Sequence, residues 1–248
     1  TEDNHWRPDF DTLERMDLEG VKIMWTNYPN MPTGAKATPE LYQRLVAFGL
    51  KHKILIVNDN PYSFILCGKP LSILAADGAE ECCLELNSLS KAHNMSGWRI
   101  GMVGGAPELI AEILKVKSQM DSGMFKPLQL AAIEALRQSP EWFEELNSEY
   151  VRRRVAAGRI FDTLGAVYDH DTAGLFLWGR VPSEYAENGM TAGEVISERV
   201  LRQAGVFITP GFIFGKNGDN YIRISLCAKP EVLDRANKKI EEVIDKII

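Results

Sequence analysis

Apolar runs of strand length alternate with helical patterns through the first hundred residues. Four runs predict buried strands: VKIMWTNY (21–28), KILIVND (53–59), ECCLELNS (81–88) and RIGMVGGA (99–106). After the first run, Thr38 is a predicted helix N-cap and Pro39 the first helical residue. That helix is predicted to reach His52 and to place apolar residues on one face, namely Leu41, Leu45, Val46 and Leu50. Strands alternating with helices predict an α/β fold with a mainly parallel sheet.

The pattern becomes predominantly helical after Pro107. Helices are predicted at ELIAEILKVKSQM, at PLQLAAIEALRQ and from Ser139 to about Leu164, where Ser139 and Pro140 form a cap and a first-turn proline. Beyond them, LFLWGRV (175–181), GVFITP (205–210) and YIRISL (221–226) predict strands, with helices at about 191–204 and 230–247. We therefore predict part of a large domain over residues 1–138, and an interdomain helix with a smaller α+β C-terminal domain over 139–248.

The composition of the chain limits the kinds of binding partner and the cellular compartment that we expect for the protein. The chain has 248 residues, a formal net charge of −6 and a pI near 5.4, which disfavour nucleic acid and anionic membranes as partners. No apolar run approaches the roughly 20 residues of a membrane span. The four cysteines include no C-x-x-C pair, so we expect reduced thiols in a cytoplasmic protein. The polar start TEDNHWRPDFD lacks an initial Met, and we expect the chain to be a fragment.

The segment NSLSKAHNMSGWRIG (87–101) combines hydroxyl groups, an amine and a guanidinium directly after a predicted strand. Ser88, Ser90 and Arg99 carry donors suited to phosphate oxygens. Lys91 lies among them, and a lysine amine beside a phosphate site suggests a Schiff base with an aldehyde. The alternative for Lys91 is a solvated loop lysine, which is the ordinary fate of a single lysine. The surrounding phosphate-type residues favour the functional interpretation.

Two further places carry side chains with a possible chemical role. Asp59 ends the strand KILIVND, where a carboxylate can hold a protonated ring nitrogen, and Tyr62 follows three residues later. The alternative is an ordinary turn, because Asp and Asn before Pro favour turns.

Arg223 shares one strand face with Tyr221 and Ser225, and its forked donors match a carboxylate. An exposed arginine in a salt bridge is an equally good interpretation of Arg223.

Six motifs in order make the chain resemble a known family. They are N-Y-P-N-M-P-T-G (27–34), D-N-P-Y (59–62), S-L-S-K (88–91), G-W-R-I-G (97–101), P-G-F-I-F-G (210–215) and Y-I-R-I-S (221–225). The chain resembles the class I/II aminotransferases of the fold-type I pyridoxal 5'-phosphate (PLP) enzymes, which include aspartate, aromatic and diaminopimelate aminotransferases. The resemblance covers nearly the whole chain, as the C-terminal portion of such an enzyme.

The resemblance implies a role for each candidate residue. Lys91 would form the Schiff base with PLP and move the proton at the substrate α-carbon. Asp59 would hold the ring nitrogen and Tyr62 the ring oxygen. The phosphate would be bound by Ser88, Ser90 and Arg99, and the substrate α-carboxylate by Arg223. The family also implies amino acid and 2-oxo acid substrates and a homodimer.

Two departures from the family pattern leave alternatives open. Met31 stands where most members have an asparagine that bonds the ring oxygen, and a thioether is a weak acceptor without a donor. The family's upstream segment, with a glycine-rich phosphate-binding turn, is missing from this sequence. A PLP-dependent C–S lyase of the same fold and a non-catalytic fragment or degenerate relative are therefore the competing interpretations. The sequence leaves the amino acid substrate undetermined.

Overall fold

The computed structural model describes all 248 residues, which fall into two compact units. The N-terminal unit comprises Glu2–Asn30 and Ala35–Phe143. The C-terminal unit comprises Glu144–Ile248 together with Thr1 and the short segment Met31–Gly34. The C-terminal unit therefore contains a piece of chain taken from within the N-terminal sequence.

The N-terminal unit contains a four-stranded sheet, and all four strands predicted from the sequence are present. The predicted burial is wrong for the first of them, because Ile23 is 48% and Trp25 65% exposed, and the fourth strand is also largely exposed. The strands are β1 (Ile23–Asn27), β2 (Leu55–Asp59), β3 (Cys83–Ser88) and β4 (Gly101–Gly105), in the order β1-β2-β3-β4. The first three are parallel, and β4 is antiparallel to β3. The predicted strand 81–88 begins later than expected, because Glu81 and Cys82 close a short helix that precedes β3.

Six helices belong to the sequence of this unit: α1 (Phe10–Arg15), α2 (Pro39–His52), α3 (Ala79–Cys82), α4 (Leu89–Ala92), α5 (Pro107–Met120) and α6 (Lys126–Leu136). The predicted cap of α2 is confirmed, since the Thr38 hydroxyl accepts the Leu41 amide at 3.2 Å. Three residues of the predicted apolar face are buried, namely Leu41, Leu45 and Val46. Leu50, the fourth, is 39% exposed and lies in the last turn of the helix.

The core of the N-terminal unit forms between α2 and the first strands. It includes Phe10, Leu45, Val46, Ile54, Ile56, Ile73 and Cys83. Fully burying an aliphatic side chain of this kind stabilises a fold by about 1.5–3 kcal/mol relative to exposure. Packing of these residues fixes the position of β1 and β2, and so of the groups at their ends.

The C-terminal unit contains an entirely antiparallel sheet. Its strands are β5 (Val167–Tyr168), β6 (Phe176–Arg180), β7 (Thr209–Pro210) and β8 (Tyr221–Ser225), in the order β5-β6-β8-β7. The helices are α7 (Pro140–Thr163), which starts in the sequence of the N-terminal unit, α8 (Ala192–Ala204) and α9 (Pro230–Glu241). Leu177, Ile196 and Ile222 are among its fully buried side chains.

Two predicted elements of this unit are longer than the observed ones. The strand predicted over 205–210 is reduced to Thr209–Pro210, because Gly205 takes a left-handed conformation (φ 64°) that ends α8. The helix predicted over 230–247 ends at Glu241, and a separate 3₁₀ turn follows at Ile244–Lys246. No helix is both long and apolar enough to cross a bilayer.

Candidate active site

The carboxyl ends of β2 and β3 bring two candidate residues to the same edge of the N-terminal sheet. Asp59, the last residue of β2, is paired with Leu86 of β3, and the Asn60 amide donates to the Leu86 carbonyl at 2.8 Å. Asn27 at the end of β1 donates from its side-chain amide to the Asp59 carbonyl at 2.7 Å. In open α/β sheets, ligands bind in the crevice outside the carboxyl ends of the strands.

The Asp59 carboxylate is partly desolvated although its residue lies at the exposed strand end. Desolvation raises the pKa of Asp59, and no cation of the protein compensates that effect. The structure shows no hydrogen bond or ion pair on its carboxylate oxygens. A partly desolvated acid of this kind is stabilised in its charged form by a cationic partner.

Lys91 lies on α4, which begins immediately after β3. Ser88 is both the last residue of β3 and the N-cap of α4, so the lysine follows the strand end by only three residues. The Lys91 side chain is half-buried, and its amine forms no salt bridge or hydrogen bond in the structure. The sheet therefore places this amine at the same edge as the Asp59 carboxylate.

The three predicted phosphate ligands lie in the segment between the end of β3 and the start of β4. Ser88 pairs with Gly101, and the Leu89 amide donates to the Ile100 carbonyl at 3.2 Å. The Ser88 hydroxyl accepts the Ser90 amide at 3.1 Å and donates to the Ile100 carbonyl at 3.5 Å, so it also caps α4. Arg99 is exposed, in a left-handed conformation (φ 54°), and donates to the Ser96 carbonyl at 3.0 Å.

Tyr62 follows the strand end as the sequence predicts, but its side chain is largely enclosed. It is only 7% exposed. Its carbonyl accepts the Ile65 amide at 2.9 Å, which closes the turn after Pro61. The structure thus contains both features that the sequence suggests, a turn after Asp59 and a tyrosine close to Asp59 in sequence.

A buried polar network below the strand ends is a feature that sequence reasoning missed. The Asn58 side chain accepts from the Thr26 hydroxyl at 3.1 Å and donates to the Tyr42 hydroxyl and to Glu85, both at 3.3 Å. Glu85 also accepts the Ile73 amide at 3.0 Å. The signal in the sequence was a polar residue next to apolar ones inside each predicted strand, Asn58 after Val57 and Glu85 between Leu84 and Leu86.

This network ties the three parallel strands together beside the candidate site. Burial raises the pKa of Tyr42 well above its usual range, and the charge of nearby Glu85 raises it further. Burial also raises the pKa of Tyr28 to about 12. Both phenols therefore stay protonated at neutral pH and remain hydrogen-bond donors. The network positions the end of β2, and through it Asp59.

His93, two residues after Lys91, anchors the far end of α4 in an aromatic cluster. Its ring stacks on Trp142 with centroids 5.9 Å apart and meets Phe143 edge-on at 5.4 Å. Burial lowers the pKa of His93, which keeps the ring neutral at pH 7. The sequence predicted no role for this histidine.

Arg223, the predicted carboxylate ligand, lies on β8 in the C-terminal unit. It is half-buried, between the buried core residues Ile222 and Ile224. Its guanidinium carbon lies 4.2 Å from the ring centroid of Phe176 and 4.6 Å from that of Phe214. These contacts are cation–π interactions, so Arg223 is not a plain solvated strand arginine.

Met31, the residue that departs from the family pattern, contacts Arg223. Arg223 donates from Nη1 to the Met31 sulfur at 3.3 Å. The preceding Asn30 donates from its side chain to the Asn27 carbonyl at 3.3 Å, within the N-terminal unit. The two neighbours thus belong to different units.

Comparison with known proteins identifies the family to which the chain belongs. The family model for aminotransferase class I and II matches residues 1–240, and the chain belongs to this family. Members of the family are PLP-dependent enzymes. The α/β N-terminal unit and the antiparallel C-terminal sheet agree with the predicted fold type I.

Individual members of the family show how similar the chain is to them in sequence and in structure. It is 38% identical over 244 residues to an LL-diaminopimelate aminotransferase of Aquifex aeolicus, covering 98% of this chain and 62% of that protein. The apo-BacF structure from Bacillus subtilis superposes with a TM-score of 0.90 at 33% identity, covering 98% of this chain and 64% of that one. A Thermus thermophilus aspartate aminotransferase with maleate gives 0.85 at 27% identity, covering 98% and 62%. The chain thus spans about three fifths of the length of the relatives it matches.

The residues of the N-terminal unit fit the cofactor of this family. PLP combines an aldehyde, a ring nitrogen that can carry a proton, and a phosphate. The same sheet edge offers an amine without a salt bridge on Lys91 and a partly desolvated carboxylate on Asp59. Donors for a phosphate adjoin them at Ser90 and Arg99. No group of three or more His, Cys, Asp or Glu side chains is arranged to hold a metal ion.

Proposed function

We propose that this protein is a PLP-dependent aminotransferase that exchanges an amino group between an amino acid and a 2-oxo acid. The observation that carries the proposal is the register of β2 with β3, which puts Asp59 and Lys91 at one edge of the sheet. The family membership of the chain supports the same activity. The N-terminal unit would be part of the cofactor-binding domain and the C-terminal unit the small domain.

Each candidate residue has a physical task in this proposal. When bound, PLP supplies an aldehyde that accepts an amino group and a ring that withdraws electrons. Lys91 Nζ is the point of covalent attachment and later holds or returns the proton of the substrate α-carbon. The Asp59 carboxylate keeps the ring nitrogen protonated, because the opposite charges stabilise each other.

The remaining cofactor ligands orient the ring and hold its phosphate. Tyr62 would donate from its hydroxyl to the ring oxygen. Ser88, Ser90 and Arg99 would bind the phosphate, with Arg99 supplying the positive charge. Since the Ser88 hydroxyl already caps α4 and donates to the Ile100 carbonyl, we propose that it shares its proton with the phosphate, and that Ser90 and Arg99 carry most of the binding energy.

Arg223 would bind the substrate α-carboxylate through two parallel hydrogen bonds. Relatives at 36–38% identity to this chain are named LL-diaminopimelate aminotransferases. We therefore propose LL-diaminopimelate as the amino acid substrate to test first. The sequence motif N-Y-P-N-x-P-T-G-A (27–35) also resembles diaminopimelate-type sequences.

The surface of the N-terminal unit supports association with a second copy as a homodimer. Trp25 is 65% exposed, Phe125 68% and Met120 76%, all on one unit. A contiguous exposed apolar patch marks a surface that becomes buried in an assembly, and we propose that these side chains belong to such a patch. We propose a cytoplasmic location, in keeping with four cysteines of which none forms a disulfide.

Covalent trapping tests the cofactor assignment directly. PLP added to the protein and reduced with borohydride should leave a phosphopyridoxyl mass on Lys91, located by peptide mass spectrometry. Lys91→Ala should abolish the adduct, while the exposed loop variant Lys69→Ala should keep it. A wild-type protein without any adduct on Lys91 would rule out the proposed function.

Product analysis separates the proposal from its rivals. An aminotransferase mixed with LL-diaminopimelate and PLP yields the matching oxo acid and pyridoxamine phosphate, which carries the transferred amino group, and no ammonia. A C–S lyase releases ammonia and pyruvate from a sulfur amino acid. A non-catalytic relative or fragment gives neither product even where the Lys91 adduct forms.

A further inference from the structure

Asparagine followed directly by glycine occurs at two places, Asn188-Gly189 and Asn217-Gly218, both in the C-terminal unit. In such a pair the glycine nitrogen reaches the side-chain carbonyl carbon of the asparagine easily, because glycine has no side chain to hinder the approach. A bond forms from that nitrogen to Cγ, the bond from Cγ to the side-chain nitrogen breaks, and ammonia leaves. Water then opens the resulting cyclic imide to aspartate or isoaspartate. The two pairs share this chemistry but differ in their surroundings.

Asn188 and Gly189 form the tip of a short hairpin that precedes α8. Glu187 and Met190 flank them as an antiparallel bridge, and the Met190 amide donates to the Glu187 carbonyl at 2.8 Å. Asn188 has φ 50° and Gly189 φ 80°, the two positive values of a type I′ hairpin turn. Both residues are exposed. The carbonyl that is attacked and the nitrogen that attacks it therefore both lie at the surface.

No hydrogen bond holds either reacting group of this first pair. The Asn188 side-chain amide and the Gly189 backbone amide have no hydrogen-bond partner in the structure. A Cβ added at Gly189 would meet nothing within 4 Å, so the space around the attacking nitrogen is open. Rotation of the asparagine side chain towards that nitrogen therefore breaks no hydrogen bond of either group.

The second pair is held in place at its glycine. Gly218 is buried, and its amide donates to the Gly215 carbonyl at 2.8 Å within the 3₁₀ turn Lys216–Gly218. A Cβ added at Gly218 would lie 2.2 Å from the Gly211 carbonyl oxygen. Attack by this nitrogen requires that the hydrogen bond breaks and that closely packed backbone separates. Asn217 itself is exposed, so exposure of the asparagine alone does not distinguish the two pairs.

We propose that Asn188 is a site of spontaneous deamidation, and that the packing of Gly218 protects Asn217 from the same reaction. The co-reactant is water, and the products are ammonia and either aspartate or isoaspartate at position 188. The inference is independent of the cofactor and of the proposed function.

Deamidation would change both the charge and the backbone of the hairpin. Either product adds a carboxylate next to Glu187, which pairs with Arg199 of α8 at 2.9 Å. Isoaspartate also routes the main chain through the side-chain carbon, which lengthens the turn by a methylene group. Because a hairpin turn sets the register of the residues on either side, the isoaspartyl form should lose the hydrogen bond from Met190 to Glu187.

Peptide mapping by mass spectrometry tests the proposal on the full chain incubated at mildly alkaline pH. The deamidated fraction at early times should be at least about tenfold higher at Asn188 than at Asn217, the ratio that ~1.4 kcal/mol of opening free energy at Gly218 provides. The rate should rise with pH, because the attacking amide must lose its proton. An isoaspartate methyltransferase with labelled S-adenosylmethionine should label the peptide that contains residue 188.

Unfolding in guanidinium chloride is the matched control, because both pairs then have the same freedom and should deamidate at similar rates. Gly189→Ala should lower the rate at Asn188, since the added methyl group hinders the attacking nitrogen, and should leave the rate at Asn217 unchanged. The left-handed conformation makes this variant less stable by about 1–2 kcal/mol. Should it not fold, Asn188→Gln removes the reaction at this position, because the longer side chain cyclises much less readily.

Three results would overturn the proposal. One is equal deamidation at Asn188 and Asn217 in the folded chain, and another is an unreactive Asn188 in the folded chain when the unfolded chain reacts. The third is a difference that persists unchanged after unfolding, because it would then come from the flanking residues and not from the fold. None of these results affects the adduct of PLP with Lys91, so the proposed function stands or falls separately.

Discussion

The two units hold their candidate ligand-binding residues in opposite surroundings. In the N-terminal unit, Asp59 and Lys91 stand at strand ends above a buried polar network centred on Asn58. In the C-terminal unit, Arg223 is held by two aromatic rings and a thioether. Positions at strand ends are set by backbone register, whereas the position of Arg223 is set by side-chain packing. Substitutions should therefore affect the two regions differently.

The largest expected effect comes from one buried leucine in each core. Leu45 and Leu177 are both fully buried, and replacing either by Ala should cost about 2–5 kcal/mol of unfolding free energy through the cavity left behind. Hydrogen exchange should locate the loss, in α2 for Leu45→Ala and in β6 and β8 for Leu177→Ala. Equal loss of protection along the whole chain in both variants would contradict a division into two units.

Asp59→Asn should weaken PLP binding while stabilising the protein without PLP. The loss of the charge partner should raise the PLP dissociation constant about 100-fold, since close charge pairs contribute about 2–5 kcal/mol. Burial raises the pKa of Asp59 in the folded protein above its value in the unfolded chain. The folded wild type is therefore most stable when Asp59 is protonated, and its free energy of unfolding falls as the pH rises through the raised pKa.

The asparagine variant should therefore melt slightly higher than the wild type at pH 7, and the difference should vanish below about pH 3.9, the ordinary pKa of an aspartate. Fluorescence titration with PLP and melting curves across pH check both expectations. Asp11→Asn, on the exposed side of α1, is the control. A lower melting temperature for Asp59→Asn at pH 7 would show that its carboxylate has a stabilising partner.

Gly34→Ala should destabilise the C-terminal unit more than Gly20→Ala destabilises the N-terminal one. Both glycines have φ near +75°, where a side chain costs about 1–2 kcal/mol. A Cβ on Gly20 meets nothing within 4 Å, whereas at Gly34 it would collide with Thr172. Urea unfolding gives the loss of unfolding free energy in each variant. The difference between the two losses measures the collision at Gly34 alone. Equal losses would mean that the turn moves freely.

The smallest expected effect is loss of a helix cap in each unit. The Thr38 hydroxyl caps α2 and the Thr191 hydroxyl caps α8, each by accepting a backbone amide. Replacing either threonine by Ala should cost about 1 kcal/mol, which lowers the melting temperature by about 2–4 °C in a protein of this size. Serine at either position should restore most of the loss, because it keeps the hydroxyl.

Local sequence patterns predicted most of the elements but not how they meet. The apolar runs around β1, β2 and β3 and the cap at Thr38 are local signals, and the structure confirms them. Strand β5 has only two residues and α1 only six, too short for a clear period. Gly205 ends α8, and the apolar run GVFITP (205–210) that it opens does not reveal this preference of glycine for helix ends.

Contacts between distant parts of the chain had no signal in the sequence. The pairing of Asp59 with Leu86 follows from sheet register, which a single sequence does not encode locally. The Met31 contact spans 192 residues, whereas the family motif relates this position only to the cofactor ring. The family motifs identify candidate residues, and the structure adds their neighbours.

The assignment of Met31–Gly34 to the C-terminal unit has a consequence for dissecting the molecule. A recombinant piece that starts at Glu144 would omit this segment, so the Ala173 amide would lose its acceptor and Arg223 its sulfur contact. Adding a synthetic peptide with the sequence NMPTGA (30–35) to such a piece would then be a complementation experiment. A sequence-contiguous cut is thus the wrong way to isolate the smaller half of this protein.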